Sequence, residues 1–395
     1  MENESPDLQL QGLHYLTGAP VRIAIRQGRI AGVEPLNDPP ASLRQLPWIG
    51  PGFVDLQING YAGMDFNTLP IAPHTTSRLS RALWSEGVTS FFPTVITNSE
   101  DAILEAVSAI ARECEEDEAA GSAVAGIHLE GPFISPEDGA RGAHSRAYVR
   151  APDWPLFQRW QEAARGRIKI VTVSPEWPEA EAFIRRCADS GVLVSIGHTA
   201  AAPDQIARAV AAGAAMSTHF GNGAHPVLPR HPNYLWEQLA ADELWTCLIA
   251  DGFHLPDSVL KVAMKVKGDK ALLVSDAVMF SGMPAGTYES HIGGKVVLTP
   301  QGRLQMADQP QLLAGSVKML PAGVSHLVKR GLCSLGEAWE MASVRPAKRV
   351  GLPFSAGLEA GAPADVLLIE WGDAGGDGSE PRIAGVYKNG VSVWP

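Results

Sequence analysis

Four short apolar runs, each followed by a residue that can bind a metal or move a proton, constrain this chain most. The runs cover residues 124–129, 192–197, 214–218 and 271–275, and the residues that follow them are Glu130, His198, His219 and Asp276. Short apolar runs that stop at a polar residue or at a Gly-Pro turn are typical of buried strands. Because α/β folds place their chemistry at the carboxyl ends of strands, we expect these four side chains to meet at one mouth of a sheet.

The middle of the chain alternates between strand-like and helix-like segments. The strand-like segments end near Asn59, Thr94, Glu130, Ser174, His198, His219, Asp251 and Asp276, and helical patterns cover residues 75–86, 100–114, 178–190, 204–212 and 256–267. Eight strands alternating with helices over about 230 residues match a (β/α)8 TIM barrel in count and length. A doubly wound sheet is the alternative, but it would concentrate the reactive residues near one switch point. We therefore expect an α/β fold of the barrel type.

Both ends of the chain have β character. Alternating patterns cover residues 8–16, 21–26 and 29–35, strand-like runs cover 365–369 and 385–387, and Asn389-Gly390 is a hairpin turn signal. We expect a small β-sandwich domain built from residues 1–50 plus 353–395, and a catalytic barrel over residues 51–352.

Composition excludes several classes of function. The formal net charge is −11 and no block of Lys or Arg stands out, which argues against nucleic acid or an anionic membrane as a partner. No apolar run approaches the ~20 residues that a membrane span needs. The cysteines Cys114, Cys187, Cys247 and Cys333 are far apart and form no CxxC pair, so we expect free thiols in a reducing cytoplasm. A small anionic substrate stays possible, since it needs only one or two local cations.

The strand-end residues suit a single catalytic metal. Zn²⁺ accepts imidazole nitrogen and carboxylate oxygen, and a catalytic site keeps one position open for water. Glu130, His198 and His219 would supply three such ligands. The pKa of water bound to such an ion falls to ~7, so hydroxide becomes available near neutral pH. Asp276 would act as the general acid/base. Taken singly, a strand-end histidine is more often structural, and a strand-end aspartate is often a turn cap.

Eight motifs in order carry a resemblance to a known family. They are PGFVDLQING (51–60), HLEGPF (128–133), GAH (142–144), GHT (197–199), THFGN (218–222), ADGFH (250–254), LVSDA (273–277) and LAGS (313–316). The chain resembles the N-acetylglucosamine-6-phosphate deacetylases of the amidohydrolase superfamily. The resemblance implies a metal-dependent hydrolase that removes acetate from an N-acetyl amino sugar, with N-acetylglucosamine 6-phosphate as the expected substrate.

The resemblance also implies roles for individual residues. His144 would polarise the acetamide carbonyl as a second catalytic residue. The positions that would contact the substrate are Ala143, His144, Asn222, Gly223, Arg230, Asp251, His254, Leu313, Ala314 and Gly315. Arg230 falls where the family keeps an arginine for the phosphate, which in such homodimers can come from the neighbouring subunit. We therefore expect a homodimer.

The first strand predicts one metal ion rather than two. Many amidohydrolases carry His-x-His at this strand and bind a second ion, whereas this chain has Gln57 and Asn59. An amide is a poor ligand for Zn²⁺, so we interpret these two as vestigial second-metal positions. We expect one divalent ion per subunit, with Zn²⁺ the first choice and Fe²⁺, Mn²⁺ or Co²⁺ as alternatives.

Three departures from the family pattern leave the substrate open. Gly223-Ala224-His225-Pro226 replaces the usual Ala-Met after the asparagine, Val278 stands where Thr is common, and the sequence around Arg230 is unusual. One alternative is deacetylation of a different or unphosphorylated N-acetyl sugar. Another is a different amidohydrolase reaction, on an N-acyl amino acid or a cyclic amide. The last is an inactive scaffold on the same fold, which the complete set of ligands disfavours.

Overall fold

A computed structural model describes residues 7–38, 46–290, 294–371 and 380–394. The strands are β1 Leu8–His14, β2 Pro20–Arg26, β3 Arg29–Pro35, β4 Trp48–Pro51, β5 Phe53–Ile58, β6 Gly60–Tyr61, β7 Met64–Asp65, β8 Val88–Ile96, β9 Ile127–Glu130, β10 Ile168–Val173, β11 Leu193–Ile196, β12 Ala214–Ser217, β13 Trp245–Leu248, β14 Ala271–Leu273, β15 Gly286–Ser290, β16 Gly294–Leu298, β17 Leu304–Met306, β18 Val366–Glu370, β19 Arg382–Lys388 and β20 Val391–Trp394. The helices are α1 Thr75–Trp84, α2 Glu100–Glu116, α3 Glu118–Ala123, α4 Trp154–Ala163, α5 Ala180–Asp189, α6 Pro203–Ala211, α7 Tyr234–Ala240, α8 Asp257–Lys267, α9 Leu320–Lys329, α10 Leu335–Ala342 and α11 Val344–Arg349. Within these described ranges, no helix combines the length and the apolar character that crossing a membrane requires.

The chain divides into two compact units. One comprises Met1–Asp55, Arg81–Ser90 and Met319–Pro395, and the other comprises Leu56–Ser80 and Phe91–Lys318. The first unit contains a seven-stranded sheet in the order β20-β19-β18-β4-β1-β2-β3. Strands from both ends of the chain therefore share one sheet, which confirms the predicted small β domain. The boundaries at residues 50/51 and 352/353 stay a prediction.

The second unit is organised around an eight-stranded sheet in the order β14-β13-β12-β11-β10-β9-β8-β5. The pairs resolved along this sheet from β8 to β14 are parallel. Ile58 at the end of β5 bridges in parallel to Ala277, which follows β14. The backbone N–H groups of Asn59 and Gly60 both donate to the Ala277 carbonyl oxygen. These contacts bring the first and last strands of the sheet together, so the predicted TIM barrel is confirmed.

The helical periods in the sequence located five helices to within about two residues at most ends. They are α1, α2, α5, α6 and α8. The predicted helical patterns do not cover α3, α4, α7, α9, α10 and α11. The sequence periods also do not indicate the small antiparallel sheet β15-β16-β17, whose apolar side packs around Phe280, Val296, Leu298 and Leu304. Strand ends were less accurate, because β14 stops at Leu273, three residues before Asp276.

Candidate active site

The backbone presents the reactive side chains from strand ends in an unusual conformation. Glu130 is the last residue of β9, while His198, His219 and Asp276 follow β11, β12 and β14 by two or three residues. Those three have positive φ angles of 48°, 22° and 49°. Left-handed backbone at a residue with a side chain costs about 1–3 kcal/mol and clusters at functional sites. The backbone is therefore strained at three positions where the sequence predicts metal-binding or catalytic residues.

Three ligand atoms converge at the centre of the site. The Nε2 of His219 lies 2.9 Å from Glu130 Oε1, the Nε2 of His198 lies 3.2 Å from the same oxygen, and the two nitrogens are 3.0 Å apart. Ligands on a tetrahedron around Zn²⁺, at about 2.0–2.1 Å from the ion, are about 3.3 Å from one another. The spacing fits one divalent ion.

A second set of potential ligands overlaps the first. Glu130, His144 and His198 also offer ligand atoms that all lie within 4.8 Å of one another. The two sets share Glu130 and His198, so the difference is whether His144 or His219 completes the triad. His219 Nε2 lies 2.9 Å from Glu130 Oε1 and 3.0 Å from His198 Nε2, while His144 Nε2 lies 3.2 Å from His198 Nε2, so both histidines are close enough to share an ion with this pair.

Electrostatics also favours positive charge at this centre. Burial by itself raises the pKa of Glu130, but the hydrogen bonds and charges of His198 and His219 outweigh it and hold the pKa well below its usual range. Burial lowers the pKa of His219, yet the hydrogen bond and charge of Glu130 and the charge of Asp276 raise it to about 9. An ionised carboxylate that stabilises positive charge on its neighbours is suited to a metal cation.

His144 is placed to donate a hydrogen bond into the site. Burial and the charge of His198 lower its pKa to about 3, so the ring is neutral. Its Nδ1 lies 2.9 Å from Thr97 Oγ1 and its Nε2 lies 3.2 Å from His198 Nε2. The Thr97 hydroxyl has a second acceptor in the Glu130 carbonyl oxygen, at 3.4 Å. When the hydroxyl donates to the nearer His144 Nδ1, the proton of the neutral ring is on Nε2. The sequence reading missed Thr97, which follows β8 and stands at the same mouth of the barrel.

Asp276 has the environment of a general base. Burial raises its pKa to about 6; the charge of Glu130 adds to the rise, while His219, His254 and the hydrogen bond from Asn59 oppose it. Asn59 donates from Nδ2 to Asp276 Oδ1 over 2.8 Å. A carboxyl whose pKa lies closer to neutrality exchanges protons more readily at physiological pH than an ordinary aspartate.

A cavity of about 620 Å³ contains most of the predicted site residues. Those that line it are Asn59, Glu130, Ala143, His144, His198, His219, Asn222, Gly223, His254, Asp276, Leu313, Ala314 and Gly315. Gln57, Asp251 and Arg230 are outside its lining. Gln57 is buried against Glu130, to which it donates a hydrogen bond of 3.0 Å.

Asp251 acts behind His254. Its Oδ2 accepts a 2.7 Å hydrogen bond from His254 Nδ1, and its Oδ1 accepts from the backbone N–H groups of Phe253 and His254. Burial by itself raises the pKa of Asp251, but these contacts lower it overall. Asp251 thus fixes the imidazole of His254, which lines the cavity.

The loop between β12 and α7 carries two of the three departures from the family pattern, those at residues 223–226 and around Arg230. His225 is held by Tyr234, whose hydroxyl accepts its backbone N–H over 2.9 Å and lies 3.0 Å from its Nδ1. The Nε2 of His225 lies 3.3 Å from Glu137. Gly223 has φ of +59°, and a Cβ there would meet His198 Nδ1 at 2.4 Å, so glycine permits the close approach. Arg230, further along the loop, is exposed.

Several lining residues were not predicted. They are Asp65, Asn67, Ile96, Ala224, Pro226, Val278, Met279, Phe280, Ser290, Gln311 and Leu312. Asp65 and Asn67 follow β5 and belong to the loops at the catalytic mouth, so their position after a barrel strand was an available signal. Ser290 is the last residue of β15 and Gln311 follows β17, so both belong to the region of the small sheet, which the sequence periods did not indicate.

Comparison with known proteins decides the family. The amidohydrolase family model matches residues 48–393. The N-acetylglucosamine-6-phosphate deacetylase of Bacillus subtilis is 36% identical, over 81% of this chain and 80% of the relative. The chain belongs to the amidohydrolase family, in its N-acetylglucosamine-6-phosphate deacetylase group. This confirms the resemblance carried by the eight motifs.

Two further comparisons bear on this amidohydrolase. The N-acetylgalactosamine-6-phosphate deacetylase of Escherichia coli O157:H7 is 30% identical, over 89% of this chain and 91% of the relative. The structure of an aspartate-to-alanine variant of the Mycobacterium smegmatis N-acetyl-D-glucosamine-6-phosphate deacetylase, in complex with N-acetyl-D-glucosamine-6-phosphate, superposes with a TM-score of 0.84 at 27% identity. That match covers 99% of this chain and 100% of the other.

Proposed function

We propose that the protein is a metal-dependent hydrolase that cleaves the acetamide of N-acetylglucosamine 6-phosphate to give the amino sugar and acetate. The observation that carries this is the convergence of Glu130, His198 and His219 beside Asp276 and His144 in one cavity. The family of the chain and the names of its relatives support the choice of amide and sugar.

We assign the ion to Glu130, His198 and His219, with Zn²⁺ as the first choice and Fe²⁺, Mn²⁺ or Co²⁺ as alternatives. A divalent ion held there supplies Lewis acidity and a water of lowered pKa. The carboxylate of Asp276 accepts a proton from the attacking water and returns it to the nitrogen of the leaving amine. His144 donates from Nε2 to the carbonyl oxygen as negative charge develops on it.

We propose that the phosphate is bound by Arg230 of a second copy in a homodimer. No lysine or arginine lines the cavity among the residues that the structure describes. Phosphate binding favours a cation, and Arg suits it because the guanidinium can donate two parallel hydrogen bonds. Arg230 is exposed on a loop that also presents Val227, 84% exposed, and Trp236 at 52% lies on the helix that follows. Exposed apolar residues beside a cation suit an interface.

Mixing two damaged variants tests whether Arg230 acts in the partner's site. Arg230→Ala lacks the arginine but keeps Asp276, and Asp276→Asn has the opposite defect. If the arginine acts across the interface, subunit exchange restores about a quarter of wild-type activity, since half of the dimers are mixed and each has one intact site. Absence of any restoration, with mixed dimers demonstrated by light scattering and tagged pull-down, would contradict the proposal.

The substrate is tested by acetate release from N-acetylglucosamine and N-acetylgalactosamine, each with and without the 6-phosphate. We expect the gluco 6-phosphate to be hydrolysed fastest. A second candidate substrate is N-acetylgalactosamine 6-phosphate, which the name of the Escherichia coli relative supports. Faster hydrolysis of that sugar would make it the substrate instead. Turnover of unphosphorylated sugars alone would remove the phosphate site, and no acetate from any of them would overturn the proposal.

We place the enzyme in the cytoplasm. No disulfide joins any of the four cysteines, and three of them are buried. Unpaired cysteines are typical of proteins from reducing compartments.

A further inference from the structure

The geometry points to Gln57 and Asn59 as positioning residues of the reaction, rather than vestiges of a second metal site. Each donates a side-chain amide N–H to one carboxylate of the site: Gln57 to Glu130 over 3.0 Å, and Asn59 to Asp276 over 2.8 Å. The inference rests on the proposed roles of Glu130 as a metal ligand and Asp276 as the base.

The two amides share a face because they are two residues apart at the end of β5. Both are buried, Gln57 at 1% exposure and Asn59 at 9%. Buried amide N–H groups directed at carboxylates stabilise the ionised form of the acid and fix its orientation. Many amidohydrolases have histidines at these two positions and bind a second metal ion there. In this chain, the amide N–H groups of Gln57 and Asn59 supply partial positive charge instead.

Gln57 controls the orientation of the ligand carboxylate. The oxygen it contacts, Glu130 Oε1, is the same oxygen that His198 and His219 approach. The imidazoles of His198 and His219 can each present a nitrogen lone pair to a cation, whereas the amide nitrogen of Gln57 can only donate a hydrogen bond. Gln57 therefore acts on metal affinity through the carboxylate it holds, as groups hydrogen-bonded to metal ligands do in other sites.

Asn59 controls the base. The backbone N–H groups of Asn59 and Gly60 both donate to the carbonyl oxygen of Ala277, the residue after Asp276. These backbone hydrogen bonds fix the position of Asn59 relative to Asp276, in addition to the contact between their side chains. With Asp276 Oδ1 engaged, Oδ2 is the oxygen available for the proton. The Oδ1 of Asn59 is buried and has no hydrogen-bond partner within the described ranges.

A crossed experiment separates the two roles. Gln57→Met and Asn59→Leu remove the donors with little change in size. Metal affinity is measured by chelator competition with Zn²⁺, and kcat and KM are measured at saturating Zn²⁺. We expect Gln57→Met to weaken metal affinity by about 10–100-fold and to keep kcat within about threefold. We expect Asn59→Leu to keep metal affinity within about twofold and to lower kcat by about 10–100-fold at nearly constant KM.

Gln238→Leu is the matched control. Gln238 is also a buried amide of this unit, but it donates to the backbone of its own helix, at Tyr234. It should change thermal stability without changing metal affinity or kcat. If Gln57→Met and Asn59→Leu behave like this control, or if both lower the same parameter, the inference is wrong. Should either variant fail to fold, Gln57→Ala and Asn59→Ala test the same crossed pattern with smaller, few-fold losses, because water can enter and donate instead.

Two reference variants distinguish this inference from the proposed function. His219→Ala should lose Zn²⁺ binding and Asp276→Asn should lose turnover. If both references keep normal values, the roles assigned to the site fail, and the inference fails with them. If both references lose function while Gln57→Met and Asn59→Leu remain like wild type, the inference alone is overturned.

Discussion

The strand ends and the loop after β12 hold their polar side chains in different ways. At the strand ends, His198 is buried and Asp276 is half-buried, and both have left-handed backbone. In the loop, Arg230 is exposed and the backbone is held by a few side-chain contacts around His225. Under the proposed function, chemistry that requires ångström accuracy would lie on the rigid element, and recognition of the distal part of the substrate would lie on the adaptable one.

The difference has an energetic basis. A strand end in a parallel barrel has neighbouring strands on both sides, so its position is fixed by many buried contacts. The loop depends on hydrogen bonds, each of which contributes about 0.5–1.5 kcal/mol to stability. Changes at strand ends should therefore abolish chemistry, whereas changes in the loop should alter substrate affinity. The four predictions below test this division.

Replacing the base should have the largest effect. Asp276→Asn keeps the shape of the side chain and its contact with Asn59 but cannot accept a proton. We expect kcat to fall by about 10³-fold, within the usual range for loss of a general acid/base. Metal content, measured by elemental analysis, should remain that of the wild type. Near-normal turnover would show that Asp276 is not the general base. It would also contradict the expectation that changes at strand ends abolish the chemistry.

Removing the loop arginine should change affinity rather than chemistry. For Arg230→Ala we expect KM for N-acetylglucosamine 6-phosphate to rise by about 10–100-fold, the cost of one or two charge-assisted hydrogen bonds. KM for the unphosphorylated sugar and kcat should change little. Arg185→Ala, which removes an exposed arginine paired with Glu181, is the control. Equal effects on both sugars would mean that Arg230 does not recognise phosphate.

The acid side of the pH profile should report the strand-end base. Burial raises the pKa of Asp276 to about 6, and only its ionised form accepts a proton. Activity should therefore be lost as the pH falls, by about tenfold per pH unit below the pKa. Positive charge from a bound divalent ion favours the carboxylate, so the limb of kcat/KM in the loaded enzyme should lie below pH 6. A limb above pH 7 that persists in Asp276→Asn would assign the titration to another group.

The same division explains how far the sequence could predict this molecule. The apolar runs before Glu130, His198 and His219 identified strands, and parallel strands bring their ends together, so the central triad followed from pattern alone. The hydrogen bond from Gln57 to Glu130 did not follow, because burial and the presence of a carboxylate opposite depend on strand register. The hydrogen bond between Asp251 and His254 Nδ1 did not follow either, since a spacing of three residues does not say which of the two side chains faces the cavity.

Loosening the loop without touching its arginine should have the smallest effect. Tyr234→Phe removes the hydroxyl that accepts from the backbone of His225, and so removes one of the contacts that fix the loop ahead of Arg230. Since the loss is about 1 kcal/mol, we expect KM for the phosphorylated sugar to rise by about two- to fivefold with kcat unchanged. Proteolysis within residues 226–232 should become faster, because the open form of the loop is more populated. Tyr148→Phe, at an exposed tyrosine, is the control. A fall in kcat as large as that of Asp276→Asn would show that the loop positions the reacting atoms too, and the separation between rigid chemistry and adaptable recognition would not hold.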